Sequence, residues 1–201
     1  MTTLPNLDLE TALDGRIAGI DEAGRGPWAG PVVAAAVVLD QTNIPAGLND
    51  SKKLSDKKRE ALYDLIIAST NYGIGQASVD EIDELNILNA TYLAMARAVD
   101  NLEQKPDHCL VDGNRDPKLG ISTQTIIKGD QKSLSIAAAS ILAKVFRDRI
   151  MKKLAEKYPH YGWEKNAGYG VPVHKEALRL VGISPHHRKS FKPIRESLLQ
   201  E

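Results

Sequence analysis

The segment Ile17–Asp40 reads IAGIDEAGRGPWAGPVVAAAVVLD and predicts two strands joined by a glycine-rich turn. The first strand covers Arg16 to Asp21. The second, Pro31 to Leu39, is too continuously apolar to have a solvent-exposed face, so we expect a central hairpin. Two acids, Asp21 and Glu22, stand where the first strand ends. Burying an unpaired carboxylate costs several kcal/mol or forces it to take up a proton, so something must keep these two ionised.

The rest of the chain alternates predicted helices and strands, which indicates an α/β fold with a mixed sheet covered by helices. The predicted elements are a helix that Ser55 caps and that runs to about Ser69, a strand over 72–79, a helix over about 80–102, strands ending in HCLVDG and in TQTIIKGD, and a helix over about 133–158 that Pro159 stops. With the hairpin, this makes five strands. We expect a domain over residues 1–159 and a helical appendage over 160–201, with a helix from Pro172 to about Val181.

Composition limits the classes of protein. A chain of 201 residues with 42% hydrophobic content can bury a large core without disulfides, and its single cysteine, Cys109, cannot form one within the chain. The longest apolar stretch, Val32–Leu39, is far too short to span a bilayer, and the first residues lack the features of a secretory signal. We therefore expect a cytoplasmic protein that does not bind membranes.

Charge is distributed unevenly along the chain. Residues 1–140 carry a formal charge of −7 and residues 141–201 carry +7. An acidic part suits cations and a basic part suits polyanions such as nucleic acid, although ordinary surface variation explains the same asymmetry.

Two further acids, Asp112 and Asp130, follow predicted strands in the same way as Asp21 and Glu22. Sites assemble at the ends of strands in α/β folds, so the four carboxylates can converge. Asp21 and Glu22 can serve one site only if the strand ends or bulges there, because neighbouring strand residues point to opposite faces. The alternative is that each acid merely caps a helix or turn.

Four converging carboxylates repel one another unless cations neutralise them, and Mg²⁺ prefers oxygen ligands that it shares with phosphates. No spacing of cysteine and histidine suggests zinc. The expected chemistry is hydrolysis by in-line displacement at phosphorus, with two ions about 3.5–4 Å apart. A phosphate-cradling loop of the G-x-x-x-x-G-K-[ST] type and a G-x-S-x-G element are both missing from the sequence, which argues against a nucleoside triphosphatase and an acyl transferase.

Seven ordered motifs resemble those of bacterial ribonuclease HII, the type 2 ribonuclease H. They are GIDEAGRGPWAGPVV, LNDSKKLS, EIDELNILNAT, VDGNRDPKL, KGDQKSLSIAAASILAKVFRD, GYG and HHRKSF, and they span about residues 16–191. The resemblance implies an RNase H-like fold and an Mg²⁺- or Mn²⁺-dependent endonuclease that cleaves the RNA strand of RNA/DNA hybrids. It also implies nicking on the 5′ side of single ribonucleotides in duplex DNA, leaving a 3′-hydroxyl and a 5′-phosphate.

The resemblance also implies roles for individual residues. Asp21, Glu22, Asp112 and Asp130 match the metal-binding acids. Asp148 is a second candidate for the position of Asp130, but it lies mid-helix among Lys144, Arg147 and Arg149, where we favour a structural ion pair. The segment Gly24, Arg25 and Gly26 matches the one that contacts the 2′-hydroxyl at the RNA-to-DNA junction, together with Tyr169. Many members have Thr where this chain has Val171, which leaves open how firmly the Tyr169 loop is held.

Duplex binding should rest on backbone contacts, since the resemblance implies tolerance of any sequence. The candidates for these contacts are Ser51, Lys52, Lys53, Asn86, Asn89, Thr91, Lys144, Arg188 and Lys189. His174, His186 and His187 are assigned no catalytic role. We expect a monomer. The competing hypotheses are a nuclease or resolvase acting on DNA alone, which would cut all-deoxy substrates, and a hybrid-binding protein without catalysis.

Overall fold

The computed structural model describes residues 4–199, and its centre is the predicted hairpin. Strands β1 (Ile17–Ala23) and β2 (Val32–Val38) pair antiparallel, from Ala18 opposite Val38 to Ala23 opposite Val33. Both strands are buried along most of their length. The hairpin predicted from the sequence is therefore confirmed.

Three further strands complete a mixed sheet. Strand β3 (Asn71–Ala77) pairs antiparallel with β2, whereas β4 (His108–Asp112) lies parallel to β1 and β5 (Ser122–Ile126) lies parallel to β4. The strand order is β3-β2-β1-β4-β5. This arrangement confirms the predicted mixed five-stranded sheet and places the carboxyl ends of β1, β4 and β5 at one edge.

Residues 4–199 contain seven α-helices, which pack around the sheet and against one another. They are α1 (Asp8–Thr11), α2 (Asp56–Ser69), α3 (Val79–Asp100), α4 (Leu134–Lys157), α5 (Trp163–Asn166), α6 (Pro172–Val181) and α7 (Lys192–Leu198). Serine hydroxyls cap the first turns of α2, α3 and α4, as the local sequence favours. Within α3, Asn86 has a φ of 68° and interrupts the helix.

The two faces of the sheet have different helical covers. On one face, Ile20 and Ala34 pack against Ile82 and other residues of α3. On the other face, Val33 and Ala35 pack with α2 and α4. This division follows from the alternation of side chains along each strand. Alanine and glycine in β1 and β2 allow close approach: Gly19 lies so near Ser135 and Ile136 that a side chain there would overlap the start of α4.

The last part of the chain packs on the second half of α4 and on the turn after β1. Tyr161 and Trp163 stack with ring centroids 4.8 Å apart, and both belong to a buried cluster with Met151, Leu178 and Ile194. Helix α6 has the predicted bounds, whereas the short helices α5 and α7 were not predicted. Within residues 4–199, every helix is too short or too polar to cross a bilayer.

Candidate active site

The pairing of β1 with β4 brings two of the predicted acids side by side. Ile20 pairs with Val111 in parallel register, so the next residues, Asp21 and Asp112, lie beside each other where the pairing ends. Asp21 pairs with Ala35 of β2 and therefore belongs to the face that α4 covers. Asp21 is 6% exposed and Asp112 is half-buried.

Glu22 reaches the same edge from the opposite face of the sheet. The expectation of a strand end or bulge at Asp21 and Glu22 is wrong, because β1 and β2 stay in register through Ala23. Glu22 is nevertheless close enough to the end of the strand to line two clefts, one of about 370 Å³ and one of about 400 Å³. Its Oε1 lies 3.2 Å from Nη1 of Arg25.

The two clefts divide the remaining polar groups between them. Asp112 and Thr91 line the first, on the α3 side. Asp21, Lys52 and Tyr169 line the second, on the α4 side. Glu22 and Arg25 line both, so the clefts meet at this ion pair.

Asp130 lies in the turn after β5 and not directly at the end of that strand. Strand β5 stops at Ile126, and Asp130 belongs to the single 3-10 turn Gly129–Gln131. The N–H of Gly129 donates to Oδ1 of Asp112 at 2.6 Å, which ties this turn to the end of β4. Asp130 is 6% exposed.

The charges of the four acids interact. Burial raises the pKa of Asp21 well above its usual range, and the charges of Glu22, Asp112 and Asp130 raise it further. Burial also raises the pKa of Glu22, although the Arg25 guanidinium lowers it. The pKa of Asp130 is raised to about 6, first by burial and then by the nearby carboxylate of Asp50.

Lys52 is a second cation near this group, in addition to Arg25. Burial opposes its charge, but the charges of Asp130, Asp21, Asp50 and Asp112 outweigh that effect and raise the pKa of Lys52. Its ammonium therefore stays protonated beside the acids.

The donor set has the chemistry of a site for hard divalent cations, because all four side chains offer carboxylate oxygens. Among residues 4–199, no three His, Cys, Asp or Glu side chains stand close enough together, as placed in this structure, to hold a metal ion. Backbone N–H groups hold one oxygen of Asp21 and one of Asp112, which leaves the other oxygens for a ligand. A cation there would also relieve the repulsion that raises the pKa of Asp21.

Asp148, the second candidate for the fourth acid, lies elsewhere. It is on α4 and accepts a hydrogen bond from Nζ of Lys144 at 2.7 Å. Asp50 is a buried acid that the sequence-based predictions do not include in the site. It caps the turn Ser51–Lys53 and accepts from Nε2 of Gln131, beside Asp130. It stands between Asn49 and Ser51 in a polar segment, which gives no signal of burial.

The segment Gly24–Gly26 faces Tyr169. Gly24 has a φ of 97°, a conformation that side chains strain, and a Cβ there would overlap the guanidinium of Arg147. A Cβ on Gly26 would lie 3.3 Å from Cε1 of Tyr169, so the two residues nearly touch, and a gap opens between them only when the Tyr169 ring turns aside. Tyr169 is 48% exposed.

The predicted duplex contacts fall into two groups. Lys52, Lys53 and Asn86 are exposed, although Asn86 uses its Oδ1 to accept from the N–H groups of Leu88 and Asn89. Three others are buried: the hydroxyl of Ser51 bonds Ser140, that of Thr91 donates to the carbonyl of Ile87, and Arg188 is fully enclosed.

The prediction of Arg188 as a surface contact is therefore wrong. Its guanidinium donates to the carbonyls of Gly24, Arg25 and Gly30. Arg147, one of the charged residues that surround Asp148 in the sequence, is likewise buried and donates to the carbonyls of Ala29, Pro31 and Ala167. Both arginines thus support the turn after β1.

The family model described as Ribonuclease HII matches residues 18–194. A relative named ribonuclease HII from Magnetococcus marinus is 58% identical over 96% of this chain and 95% of its own length. One from a Ruegeria species is 56% identical over 98% of this chain and 88% of its own length.

Solved structures show the same fold. The ribonuclease H2 of Pyrococcus horikoshii matches with a TM-score of 0.79 and 32% identity, over 92% of this chain and 98% of that one. The RNase HII of Archaeoglobus fulgidus, solved as a complex with PCNA, matches with a TM-score of 0.73 and 32% identity over 88% and 95% of the two chains. Bst-RNase HIII in complex with Mn²⁺ matches in fold, with a TM-score of 0.74 and 18% identity over 92% and 70%.

Proposed function

Since the chain belongs to the ribonuclease HII family of type 2 ribonucleases H, which cleave the RNA strand of RNA/DNA hybrids, we propose that it also nicks single ribonucleotides in duplex DNA. Cleavage would fall on the 5′ side of the ribonucleotide and leave a 3′-hydroxyl and a 5′-phosphate. The reaction would depend on Mg²⁺ or Mn²⁺ held by Asp21, Glu22, Asp112 and Asp130.

The grouping of these acids is the observation that carries the proposal. Three of them lie at the edge where β1 and β4 end, and the fourth is tied there through the Gly129 N–H. Each of the other three raises the pKa of Asp21. When bound, a pair of divalent ions would supply an activated water and stabilise the leaving oxygen of the phosphodiester.

The chain's own residues would prepare this site. The N–H of Glu22 donates to Oδ1 of Asp21 at 2.7 Å and fixes the direction of that carboxylate. The N–H of Gly129 does the same for Asp112. Arg25 holds Glu22 near the edge until a cation competes for it, and its charge lowers the pKa of Glu22 against the effect of burial.

Recognition of the ribose would take place between Gly26 and Tyr169. The backbone of Gly24–Gly26 can approach a sugar closely because these positions lack bulky side chains on that wall. The Tyr169 phenol can hydrogen-bond while its ring contacts the next deoxyribose. A 2′-hydroxyl is the group that distinguishes RNA from DNA, so this gap is where an all-deoxy strand would be rejected.

The exposed lysines Lys52 and Lys53 would bind phosphates beside the larger cleft. The C-terminal residues from 160 onward would contact the duplex through Tyr169 and its neighbours. Contacts of this kind do not read bases, which suits a substrate of any sequence.

The decisive experiment uses a labelled duplex with one embedded ribonucleotide, incubated with Mg²⁺ or Mn²⁺ and resolved on a denaturing gel. We expect one nick 5′ of the ribonucleotide, and an intact all-deoxy duplex. Asp112→Asn should abolish the nick while the protein still binds the duplex. A cut all-deoxy duplex would favour a DNA nuclease, and no cleavage of either duplex would contradict the proposal.

A further inference from the structure

The segment Ser184–Arg188 lies between the two walls of the proposed ribose site, and the proposed chemistry does not use it. His187 and Arg188 are fully buried, as is His174 of α6, which touches this segment. Two sets of hydrogen bonds, which we call its two arms, extend from the segment. The first runs through His174 to the carbonyl of Tyr169, and the second runs from Arg188 to the carbonyls of Gly24 and Arg25.

The first arm is a chain of hydrogen bonds through two imidazoles. The N–H of Ser184 donates to Nδ1 of His187 at 2.8 Å, so the proton of a neutral His187 must be on Nε2. That nitrogen lies 2.9 Å from Nε2 of His174, which therefore accepts. The proton of His174 is then on Nδ1, which donates to the carbonyl of Tyr169 at 2.9 Å.

This chain of hydrogen bonds requires both imidazoles to be neutral. A second proton on His174 would place two N–H donors between the rings, and a second proton on His187 would face the N–H of Ser184. Burial lowers the pKa of His174, and burial with the neighbouring His174 lowers the pKa of His187 to about 3. The single proton arrangement therefore persists at neutral pH.

The second arm is the guanidinium of Arg188. Its Nη1 donates to the carbonyl of Arg25 at 3.0 Å and its Nη2 to that of Gly24 at 2.6 Å. Backbone bonds reinforce this attachment, since the N–H of Arg188 donates to the carbonyl of Trp28 at 2.8 Å. One short segment thus holds both walls of the gap.

We propose that His174, His187 and Arg188 are positioning residues that set the separation between Tyr169 and the Gly24–Gly26 backbone, and through it the specificity for a lone ribose. This inference rests on the proposed function. A gap bounded on both sides by groups fixed from one segment keeps its width, and misplacement of a substrate by about 1 Å can cost about a hundredfold in rate.

Two substitutions of the same residue separate positioning from packing. In His174→Asn the amide nitrogen falls where Nδ1 was and can still donate to the Tyr169 carbonyl. In His174→Gln the amide falls near Nε2 and that donor is lost. We expect kcat for nicking a lone ribonucleotide to fall about fivefold to tenfold in the Gln variant, the effect of one buried hydrogen bond, and less than twofold in the Asn variant.

The reference measurements are the rate of cleavage of a uniform RNA/DNA hybrid and the affinity for duplex. Both should change less than twofold in either variant. Tyr161→Phe is the matched control, because it removes a hydroxyl that donates to the Gly182 carbonyl in the same aromatic cluster without touching Tyr169. Tyr161→Phe should lower the Tm and leave unchanged the ratio of nicking at a lone ribonucleotide to cleavage of the uniform hybrid. Arg188→Lys, which keeps the charge but loses most donors, should lower that ratio.

Equal losses in the Asn and Gln variants, or no loss in either, would overturn the inference. A further fall in the nicking rate when His174→Gln is added to Tyr169→Ala would also overturn it, since the chain of hydrogen bonds is proposed to act through Tyr169. If the wild type cleaves the uniform hybrid but leaves the lone ribonucleotide intact, the proposed function itself is wrong, and the inference falls with it. If the wild type nicks and the variants do not differ, only the positioning role is wrong.

Discussion

Two glycines in the turn after β1 should respond in opposite ways to the same added methyl group. Gly24 has a φ of 97°, and a Cβ there would overlap Arg147. Alanine in such a conformation costs about 1–2 kcal/mol. Displacing Arg147 would weaken at least one charged hydrogen bond, worth about 1.5–3 kcal/mol. Gly24→Ala should therefore lose about 3–5 kcal/mol of stability.

Gly26→Ala should leave stability almost unchanged. Its backbone is free of that strain, and the new Cβ would lie 3.3 Å from a Tyr169 ring that is 48% exposed and can turn. A surface substitution of this kind stays within about 0.5 kcal/mol. The methyl group would nevertheless narrow the gap proposed to hold the ribose, and we expect nicking of a lone ribonucleotide to fall about a hundredfold.

Thermal unfolding and single-turnover nicking of the embedded-ribonucleotide duplex measure both effects. For a chain of this length about 1 kcal/mol corresponds to roughly 2–4 °C, so Gly24→Ala should lower the Tm by about 10 °C and Gly26→Ala by less than about 2 °C. A Gly26→Ala enzyme that nicks at the wild-type rate would refute the placement of the ribose. A Gly24→Ala protein with an unchanged Tm would refute the role given to Arg147.

Four other predictions concern the acids, the pH dependence of stability, Tyr169 and Lys53. Asp130→Asn should abolish turnover, whereas Asp148→Asn should retain it, because Asp148 pairs with Lys144. The pKa of Asp130 is raised to about 6, so the folded protein without metal keeps a proton on Asp130 between about pH 4 and 6, where the unfolded chain has already released it. The contribution of Asp130 to stability therefore falls as the pH rises through this range. Asp130→Asn removes that loss and should raise the Tm more at pH 7.5 than at pH 5. Equal increments would contradict this linkage. Tyr169→Ala should slow nicking at a lone ribonucleotide at least tenfold, and an unchanged rate would mean that the junction is sensed elsewhere. Lys53→Ala should weaken duplex binding and lower the slope of log Kd against log salt by about one, as expected for one lost phosphate contact.

The strands and most helices were predictable because local patterns determine them. Ser55 caps α2 and Pro172 begins α6 at the expected positions. The acids at the ends of β1 and β4 could also be found, since parallel strands must finish at one edge. Asp130 was harder to place, because it lies within the 3-10 turn Gly129–Gln131, after β5 has ended at Ile126.

The buried arginines could not be predicted from local sequence. Arg188 stands in the basic segment HHRKS, which is typical of a surface that binds polyanions. Its acceptors are backbone carbonyls at Gly24, Arg25 and Gly30, more than 150 positions earlier in the chain. A carbonyl carries no residue-specific signal, so neither the burial nor the partners of this guanidinium could be inferred before the tertiary structure was known.

The protein has two kinds of positive charge that would attract a polyanion: exposed lysines, and two buried arginines beneath the turn after β1. Arg147 and Arg188 are 2% and 0% exposed, so dissolved ions cannot surround them. The field of surface lysines decays within about 8 Å at physiological ionic strength, whereas charges inside the protein are screened much less. Raising the salt concentration should therefore weaken the contacts of the exposed lysines with the flanking duplex first. The attraction of the buried arginines for a strand bound at the turn should change little. A salt titration of binding would thus measure only the contribution of the lysines.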